Sequence, residues 1–261
     1  MYEQEFKGKV ALVTGGAQGI GGTVVQTLAK LGVVVAAVDF QAEKLQKHVD
    51  ALKSEGLDVY AFPADVSDSS AIDRMVDTVE REIGPIELLV NVAGVLTPGL
   101  IESCSDLNWE RTFAVNSTGV FNVCRSVSKH MVARKNGSIV TVGSNAASVP
   151  RISLAAYAAS KAAATMFTKC LGLELAQYNI RCNIVAPGST DTEMQWSLWD
   201  GNDGARTVID GIPEVFKVGI PLKKIAEPSN IVDAILFFLS DQSNHITMSN
   251  LCVDGGATLG A

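Results

Sequence analysis

The sequence has little of what disulfide-linked, metal-binding and membrane proteins depend on. Its five cysteines and three histidines are scattered along 261 residues without Cys-x-x-Cys or paired histidine spacing. We therefore expect reduced thiols in the core of a cytoplasmic protein, and no metal site. No run reaches the roughly 18 consecutive apolar residues that a membrane-spanning helix requires. Residues 1–16 predict an early strand instead of a targeting segment.

Positive charge is also in short supply. Lysine and arginine together number 21 against 28 aspartates and glutamates, so the formal net charge is −7 at pH 7. Such a chain is unsuited to bind nucleic acid or an acidic membrane surface through a general basic face. The sequence contains neither a low-complexity block nor an internal repeat, and 47% of it is hydrophobic. We therefore predict one domain over residues 1–261 with a substantial core.

What the sequence does contain is a repeated alternation of apolar strands and helices. The patterns predict strands at residues 9–14, 33–38, 59–62, 86–91, 138–142, 180–186 and 250–253. They predict helices from the first glycine turn through residue 31 and over residues 42–55, 69–83, 106–134, 153–175 and 229–239. Strands that are apolar throughout and separated by helices indicate a parallel sheet with both faces covered. The predicted fold class is α/β, a Rossmann-type doubly wound parallel sheet of about seven strands with helices on both faces.

A glycine-rich turn, TGGAQGIG at residues 14–21, follows the first predicted strand. Glycines there let the backbone approach a pyrophosphate, and the following helix directs free N–H groups at its oxygens. Asp39 ends the second strand, where a carboxylate can accept hydrogen bonds from ribose hydroxyls and would repel a 2′-phosphate. Its neighbour Phe40 is uncharged and the turn contains no lysine or arginine. The pattern therefore favours NAD over NADP, although a helix cap is the alternative role for Asp39.

A second informative stretch, residues 153–175, is alanine-rich and free of proline, and carries Tyr157 and Lys161 one helical turn apart. Both side chains then lie on the same face of one helix. A phenol with a pKa of about 10 is a poor base at neutral pH, and a nearby cation favours the phenolate. This pair is the predicted catalytic centre. A half-exposed tyrosine that happens to lie near a lysine is the alternative, because so short a motif recurs by chance.

Several further motifs occur with these two. They are Asp65, the run Asn91-Val-Ala-Gly94, Asn116, Ser144 and the pair Pro187-Gly188. In this order and at this spacing, over residues 9–256, the set resembles the short-chain dehydrogenase/reductase family. One departure is Val92, where a second asparagine is usual; it weakens a local hydrogen bond but removes no group from the reaction.

The resemblance implies a catalytic set and a homotetramer. Tyr157 would be the base, Ser144 would orient the substrate hydroxyl, and Lys161 would lower the tyrosine pKa and hold the nicotinamide ribose. Asn116 would fix a water molecule in the proton relay. Taken singly, Ser144 and Asp65 could instead be caps, and Asn116 a polar residue bonded to its own helix.

The same resemblance implies a set of cofactor-binding residues. Asp65 with Val66 would meet the adenine, the 91–94 run would line the ribose, and Thr192 would contact the carboxamide. The full set is Gly15, Gln18, Gly19, Ile20, Gly21, Asp39, Phe40, Asp65, Val66, Asn91, Ala93, Gly94, Tyr157, Lys161, Pro187, Gly188, Thr190 and Thr192.

Other runs, including Pro150-Arg151 and GSTDTEMQ at residues 188–195, are similar to family members that form the catechol of catecholate siderophores. This similarity implies NAD-linked oxidation of a dihydrodiol that carries a carboxylate. The predicted substrate residues are Ser144, Arg151, Tyr157 and Met194. Arg151 would bind the carboxylate through both guanidinium nitrogens, and a surface arginine is its alternative.

Residues 194–221 lack a regular pattern, and we predict a substrate lid at about residues 190–221. Tryptophans that merely anchor a loop are the alternative for this segment. Two other functions stay open. One is another alcohol dehydrogenase of the same family, such as a 3-oxoacyl-carrier-protein reductase that uses NADPH. The other is a dinucleotide sensor without catalysis, because a fold does not determine a function.

Overall fold

The computed structural model describes residues 2–199 and 203–260. The strands are β1 (Val10–Thr14), β2 (Val34–Asp39), β3 (Val59–Pro63), β4 (Ile86–Asn91), β5 (Gly137–Val142), β6 (Ile180–Pro187), β7 (Gly211–Ile212), β8 (Lys217–Val218) and β9 (Asn250–Val253). The helices are α1 (Tyr2–Phe6), α2 (Gly19–Lys30), α3 (Ala42–Ser54), α4 (Ser69–Glu82), α5 (Asp106–Phe113), α6 (Val120–Arg134), α7 (Ala155–Leu175), α8 (Glu193–Trp196), α9 (Gly204–Asp210) and α10 (Pro228–Leu239).

Seven strands form one sheet in the order β3-β2-β1-β4-β5-β6-β9, and all neighbours are parallel. The central strands are rich in valine, isoleucine and leucine, and every residue of β1 and β5 is buried. The strand order reverses between β1 and β4, where crossovers leave a crevice at the carboxyl ends of the strands. This confirms the predicted sheet and locates its ligand-binding edge.

Helices cover both faces of the sheet, as predicted. On one face, α2, α3 and α10 contribute buried side chains such as Leu28, Val49 and Phe238. On the other, α4, α6 and α7 bury side chains such as Ile72 and Met131. Burial of each large apolar side chain contributes roughly 1.5–3 kcal/mol, so the two layers hold the strand ends in fixed positions.

The predicted long helix over residues 106–134 has both of its ends where they were expected, but it contains a π-helical segment that the sequence did not predict. The structure has α5, then a π-helical segment over Ala114–Gly119, then α6. A π-turn adds a residue without ending the helix, so apolar spacing alone does not reveal it. The prediction that the chain enters a strand at once was wrong, because α1 precedes β1.

Residues 194–221 are more regular than the sequence predicted. They contain α9 and most of α8, and β7 pairs with β8 as a two-stranded antiparallel hairpin. Residues 200–202 of this predicted lid lie outside the described residues. The elements are too short for a periodic pattern to show, because two-residue strands and helices of four to seven residues contain too few repeats.

All five cysteines are free thiols. Cys124 and Cys182 are buried as expected, but Cys170 is exposed and Cys104 and Cys252 are partly so, which corrects the expectation of five core thiols. Within residues 2–199 and 203–260, no cluster of His, Cys, Asp or Glu could hold a metal ion. None of the helices described there has the length and apolar character needed to cross a membrane.

Candidate active site

A cavity of about 450 Å³ opens at the carboxyl ends of the parallel strands. Every predicted site residue except Asn91 and Asn116 lines it. One end is formed by the glycine turn and the ends of β2 and β3, and the other by the loop after β5, α7 and the 190–221 segment. The fold thus brings together predicted site residues that are up to 179 positions apart, from Gly15 to Met194.

The glycine turn at the first end leaves no room for side chains. A Cβ on Gly21 would lie 2.0 Å from the carbonyl oxygen of Gly15, and one on Gly15 would lie 2.9 Å from the backbone nitrogen of Ala93. Gly15 also has a φ of +68°, in the left-handed region. Gln18 precedes α2 without a side-chain capping bond, so the first N–H groups of the helix face the cavity region uncapped.

Asp39 ties the end of β2 to this turn. Its Oδ2 accepts a hydrogen bond from Ala17 N at 3.1 Å, and its Oδ1 accepts one from Gln41 N at 3.0 Å. The N-cap position of helix α3 is occupied by Gln41, so Asp39 is not the cap of that helix. Each carboxylate oxygen retains further acceptor capacity, and the residue lines the cavity.

Asp65 is likewise not the cap of α4, because Asp68 accepts the capping bond from Ala71 N. The Asp65 carboxylate accepts hydrogen bonds from Ser67 N at 2.9 Å and Ser67 Oγ at 2.7 Å. Both Asp65 and Val66 line the cavity, and their contact with the adenine stays a prediction.

The two asparagines lie behind the cavity wall, and their predicted roles at the cofactor ribose and in the proton relay stay predictions. Asn91 donates from Nδ2 to Cys124 Sγ at 3.2 Å and Thr141 Oγ1 at 3.5 Å. Asn116 accepts from Val95 N at 2.8 Å and donates to Val95 O at 2.9 Å. Strand alternation could not reveal this, because both faces of β4 are covered.

Asn116 therefore holds the loop after β4 and also donates to Ser160 Oγ on α7 at 3.0 Å. Its partners belong to other segments, so the alternative in which its own helix satisfies it is wrong. Thr14 Oγ1 accepts from Val92 N at 3.1 Å and Ala93 N at 3.2 Å. The departure at Val92 consequently leaves the backbone of this loop anchored.

Ser144, Tyr157 and Lys161 meet in the cavity. Ser144 and Tyr157 form a side-chain hydrogen bond, and Ser144 Oγ also accepts from Ala146 N at 3.1 Å. The Nζ of Lys161 donates to the carbonyl oxygen of Val142 at 2.9 Å and lies 5.9 Å from the centre of the Tyr157 ring. Ser144 thus both caps a short 3₁₀ turn and contacts the tyrosine.

The pKa of Tyr157 is shifted in the direction opposite to the one expected from the sequence. Burial raises the pKa of Tyr157 above its usual value, and the hydrogen bond to Ser144 only partly opposes that rise. Burial also lowers the pKa of Lys161 to about 8. The predicted lowering of the tyrosine pKa by Lys161 is therefore not the net effect in this structure, because desolvation of the phenolate is the largest influence.

The substrate end of the cavity has cations that the sequence did not single out. Arg151 lines it as predicted and donates from Nη1 to Pro150 O at 3.3 Å. Arg111 and Lys217 line the cavity as well. No pattern signalled Lys217, because β8 is only two residues long and lies in a segment without periodicity. Apolar walls come from Leu154, Leu198, Val208, Val215 and Ile220.

One ion pair connects helix α3 to helix α8 beside the cavity. Lys44 Nζ on α3 lies 2.8 Å from Glu193 Oε1 on α8 and also contacts Gln18 Oε1 in the glycine turn. Glu193 and Gln18 both line the cavity. The 190–221 segment is therefore linked directly to the turn that precedes α2.

Comparison with known proteins decides the family. The sequence profile described as short chain dehydrogenase matches residues 9–203. The chain belongs to the short-chain dehydrogenase family. The matched span holds the glycine turn, the Ser144, Tyr157 and Lys161 group, and the first part of the 190–221 segment.

Individual members of the short-chain dehydrogenase family are similar over their full lengths. The 2,3-dihydro-2,3-dihydroxybenzoate dehydrogenase of Bacillus subtilis (strain 168) is 66% identical over 260 residues, covering 100% of both chains. The protein of the same name from Escherichia coli (strain K12) is 40% identical over 257 residues, 98% of this chain and 100% of that one. A solved gluconate 5-dehydrogenase from Burkholderia cenocepacia J2315, in complex with NADP and tartrate, matches with a TM-score of 0.91 at 29% identity, covering 100% of both chains.

The residues of this short-chain dehydrogenase fit a dinucleotide. The uncapped start of α2 and the side-chain-free glycine turn offer N–H donors where a pyrophosphate would bind. Asp39 offers carboxylate oxygens to a ribose diol, and Lys161 has two further N–H donors beyond its bond to Val142. The roles of the individual residues in binding and catalysis stay predictions at this point.

Proposed function

We propose that this short-chain dehydrogenase oxidises 2,3-dihydro-2,3-dihydroxybenzoate to 2,3-dihydroxybenzoate with NAD, as a step in the biosynthesis of a catecholate siderophore. The observation that carries the proposal is the 66% identity, over the whole chain, with the Bacillus subtilis dehydrogenase of that name. The site supports it, because a tyrosine base, a serine and an arginine line one cavity beside a dinucleotide-binding turn.

In the proposed reaction, Tyr157 first gives its own proton to the proton relay, because burial keeps its pKa high. It then takes the proton of the C3 hydroxyl while Ser144 holds that hydroxyl by a hydrogen bond. Bound NAD would supply the acceptor for the hydride that leaves C3, and loss of that hydride and of the hydroxyl proton turns the carbon into a ketone. The C2 proton is then lost and the C3 oxygen gains one, which gives the aromatic catechol. Aromatisation makes the oxidative direction strongly favourable.

Other residues have positioning roles in this proposal. Lys161 binds the nicotinamide ribose and stabilises the phenolate by its charge once the proton has left. Asn116 holds the loop of residues 92–95 against α7 and fixes a water molecule in the proton relay. Asp39 binds the adenosine ribose and disfavours the 2′-phosphate of NADP.

We also propose that the 190–221 segment acts as a lid, that the protein works in the cytoplasm, and that it is a homotetramer. The Lys44–Glu193 ion pair supports the lid, because it attaches this segment to the cofactor turn. Leu107 on α5 and Leu173 on α7 support the assembly, since they are 71% and 69% exposed. Five free thiols suit a reducing compartment.

The direct test is spectrophotometric NADH formation by the purified protein given the dihydrodiol acid with NAD or NADP. We expect NADH with NAD, little reduction of NADP, and 2,3-dihydroxybenzoate as the product. Tyr157→Phe should lose about 10²–10⁴-fold in rate and still bind NAD, whereas Tyr178→Phe, outside the cavity, should match the wild type. No NADH from the acid, together with NADPH-dependent reduction of a 3-oxoacyl thioester, would refute the proposal.

A Tyr157→Phe protein with undiminished biological activity would point instead to a dinucleotide sensor without this chemistry. A dinucleotide sensor would need no contact between Ser144 and Tyr157, yet the two side chains are hydrogen bonded in the cavity. The alternative therefore has less support than the enzyme.

A further inference from the structure

Charge is unevenly distributed around the cavity of this acidic protein. The acidic residues Asp39 and Asp65 line its cofactor end, and Glu193 is paired with Lys44 at the mouth. Three cations line the substrate end, namely Arg111, Arg151 and Lys217. Across residues 2–199 and 203–260, none of the three forms an ion pair with a carboxylate.

The backbone of the hairpin fixes the position of Lys217. Ile212 pairs with Lys217, and Gly211 pairs with Val218. A Cβ on Gly219 would lie 2.3 Å from the carbonyl oxygen of Ile209, and one on Gly211 would lie 2.6 Å from the backbone nitrogen of Gly219. This close backbone packing holds Lys217 in the cavity wall rather than on a freely moving loop.

The positive charges of Lys217 and Arg151 repel each other. Lys217 is partly buried, and burial is the first cause that lowers its pKa. The positive charge of Arg151 is the second. Two cations that share a partly desolvated site repel each other, and an anion bound between them would relieve both the repulsion and the desolvation.

The apolar surroundings limit the kind of anion that fits. Leu154, Val208 and Ile220 line the same cavity as the two cations. A carboxylate attached to a hydrophobic ring satisfies both surfaces, whereas a strongly hydrated inorganic anion would leave the apolar wall uncovered.

We propose that Lys217 is a second substrate-binding cation, which binds the substrate carboxylate together with Arg151 and so selects ring acids over neutral ring diols. This inference rests on the proposed function and deepens it. Arg151 provides the planar bidentate contact, and Lys217 provides a compact charge from the lid. Because the two cations come from the loop before α7 and from the β7–β8 hairpin, the carboxylate also joins the lid to the catalytic helix.

The test compares Lys217→Met with Lys224→Met, a matched change at an exposed lysine outside the cavity. For the dihydrodiol acid, Lys217→Met should raise KM about tenfold or more, since a hydrogen bond to a charged group is lost. Its kcat and its affinity for NAD should stay near the wild-type values. Lys217→Arg should have a KM close to the wild-type value, and Lys224→Met should leave the KM unchanged.

A binding readout separates this inference from the proposed function. Calorimetry with NADH present would compare 2,3-dihydroxybenzoate with catechol, which differ by the carboxylate alone. Lys217→Met should lose about tenfold of the preference for the acid. An active enzyme whose Lys217→Met variant keeps the wild-type KM and preference would overturn the role of Lys217. A wild type that prefers the acid but forms no NADH would instead overturn the proposed reaction.

Discussion

The ammonium group of Lys161 lies in the protein interior, where burial disfavours the charged form. The side chain is buried, and burial lowers its pKa from 10.5 to about 8. Its hydrogen bond to Val142 O compensates for only part of the lost hydration. The residue that the reaction requires is thus one that the folded chain holds at a cost in stability.

This cost makes stability depend on pH in a defined direction. The folded state binds the Lys161 proton more weakly than the unfolded state, so unfolding takes up a proton between the two pKa values of about 8 and 10.5. Stability therefore rises with pH in that window. Below about pH 8 both states are protonated and the penalty is constant.

Lys161→Met removes this titration. Between about pH 7.5 and about pH 9.5, the wild type should gain about 2 kcal/mol of unfolding free energy relative to the variant. Both pH values lie below 10.0, the ordinary tyrosine pKa, above which the raised pKa of Tyr157 would make stability fall with pH. Urea unfolding without NAD at the two pH values measures the difference, and identical pH dependence in both proteins would contradict the prediction.

At the scale of elements, the junction between β1 and α2 depends on backbone contact. The helix starts so close to the strand that the Cβ position of Gly21 falls 2.0 Å from Gly15 O. The next residue, Gly22, differs: its Cβ position is 3.5 Å from His48 Nε2, an ordinary contact. Two adjacent glycines of one helix therefore have different reasons to be there.

Alanine at each position tests this difference. Gly21→Ala should destabilise the protein by about 3 kcal/mol or more, because the obstructing atom belongs to the backbone. It should also weaken NAD binding at least tenfold, since α2 must move away from the turn. Gly22→Ala should be neutral or stabilising by up to about 1 kcal/mol. Thermal unfolding and NAD titration measure the stability and the NAD affinity of both variants. Equal losses in the two variants would refute the different roles of Gly21 and Gly22.

The sequence predicted elements wherever the pattern was long enough to show a period. The seven strands of the sheet and helices α2, α3, α4, α6, α7 and α10 are apolar or amphipathic over many residues. The π-helical segment was not predictable, because it changes the phase of a helix without interrupting its apolar spacing. The β7–β8 hairpin was missed because two-residue strands have no period.

The need for a recognisable sequence pattern also explains which site residues could be predicted from the sequence. Tyr157, Ser144 and the glycine turn belong to motifs of fixed spacing, and the structure brings them together. Lys217 belongs to no motif, and only the folded hairpin places it beside Arg151. The sequence did not show that the Asn91 side chain donates to Cys124 Sγ, because a strand covered on both faces gives no sign of the direction of its side chains.

At the scale of the whole molecule, apolar side chains remain exposed on two neighbouring helices. Helices α5 and α7 are in contact, and Leu107, Met166 and Leu173 on them are more than half exposed. Burial of such side chains against copies of the same chain would contribute roughly 1.5–3 kcal/mol for each large residue. This is the surface expected to assemble the proposed tetramer.

Leu173→Glu places a charge on that surface without touching the cavity. Light scattering after size exclusion should give four times the 27.6 kDa chain mass for the wild type and a smaller species for Leu173→Glu. Leu259→Glu, which changes a leucine 75% exposed near the end of the chain, serves as the control. A wild type that elutes as a monomer would refute the tetramer.

Asp39 has a consequence for attempts to re-engineer cofactor preference. Its carboxylate accepts two backbone hydrogen bonds, from Ala17 N and Gln41 N, in addition to any ribose contact. Each such bond contributes about 1.5–3 kcal/mol when the acceptor is charged. A substitution that admits a 2′-phosphate by deleting the carboxylate would therefore also loosen the phosphate-binding turn. A successful exchange to NADP would pair a new cation with a small side-chain acceptor at position 39, so that selectivity changes while the turn keeps its anchor.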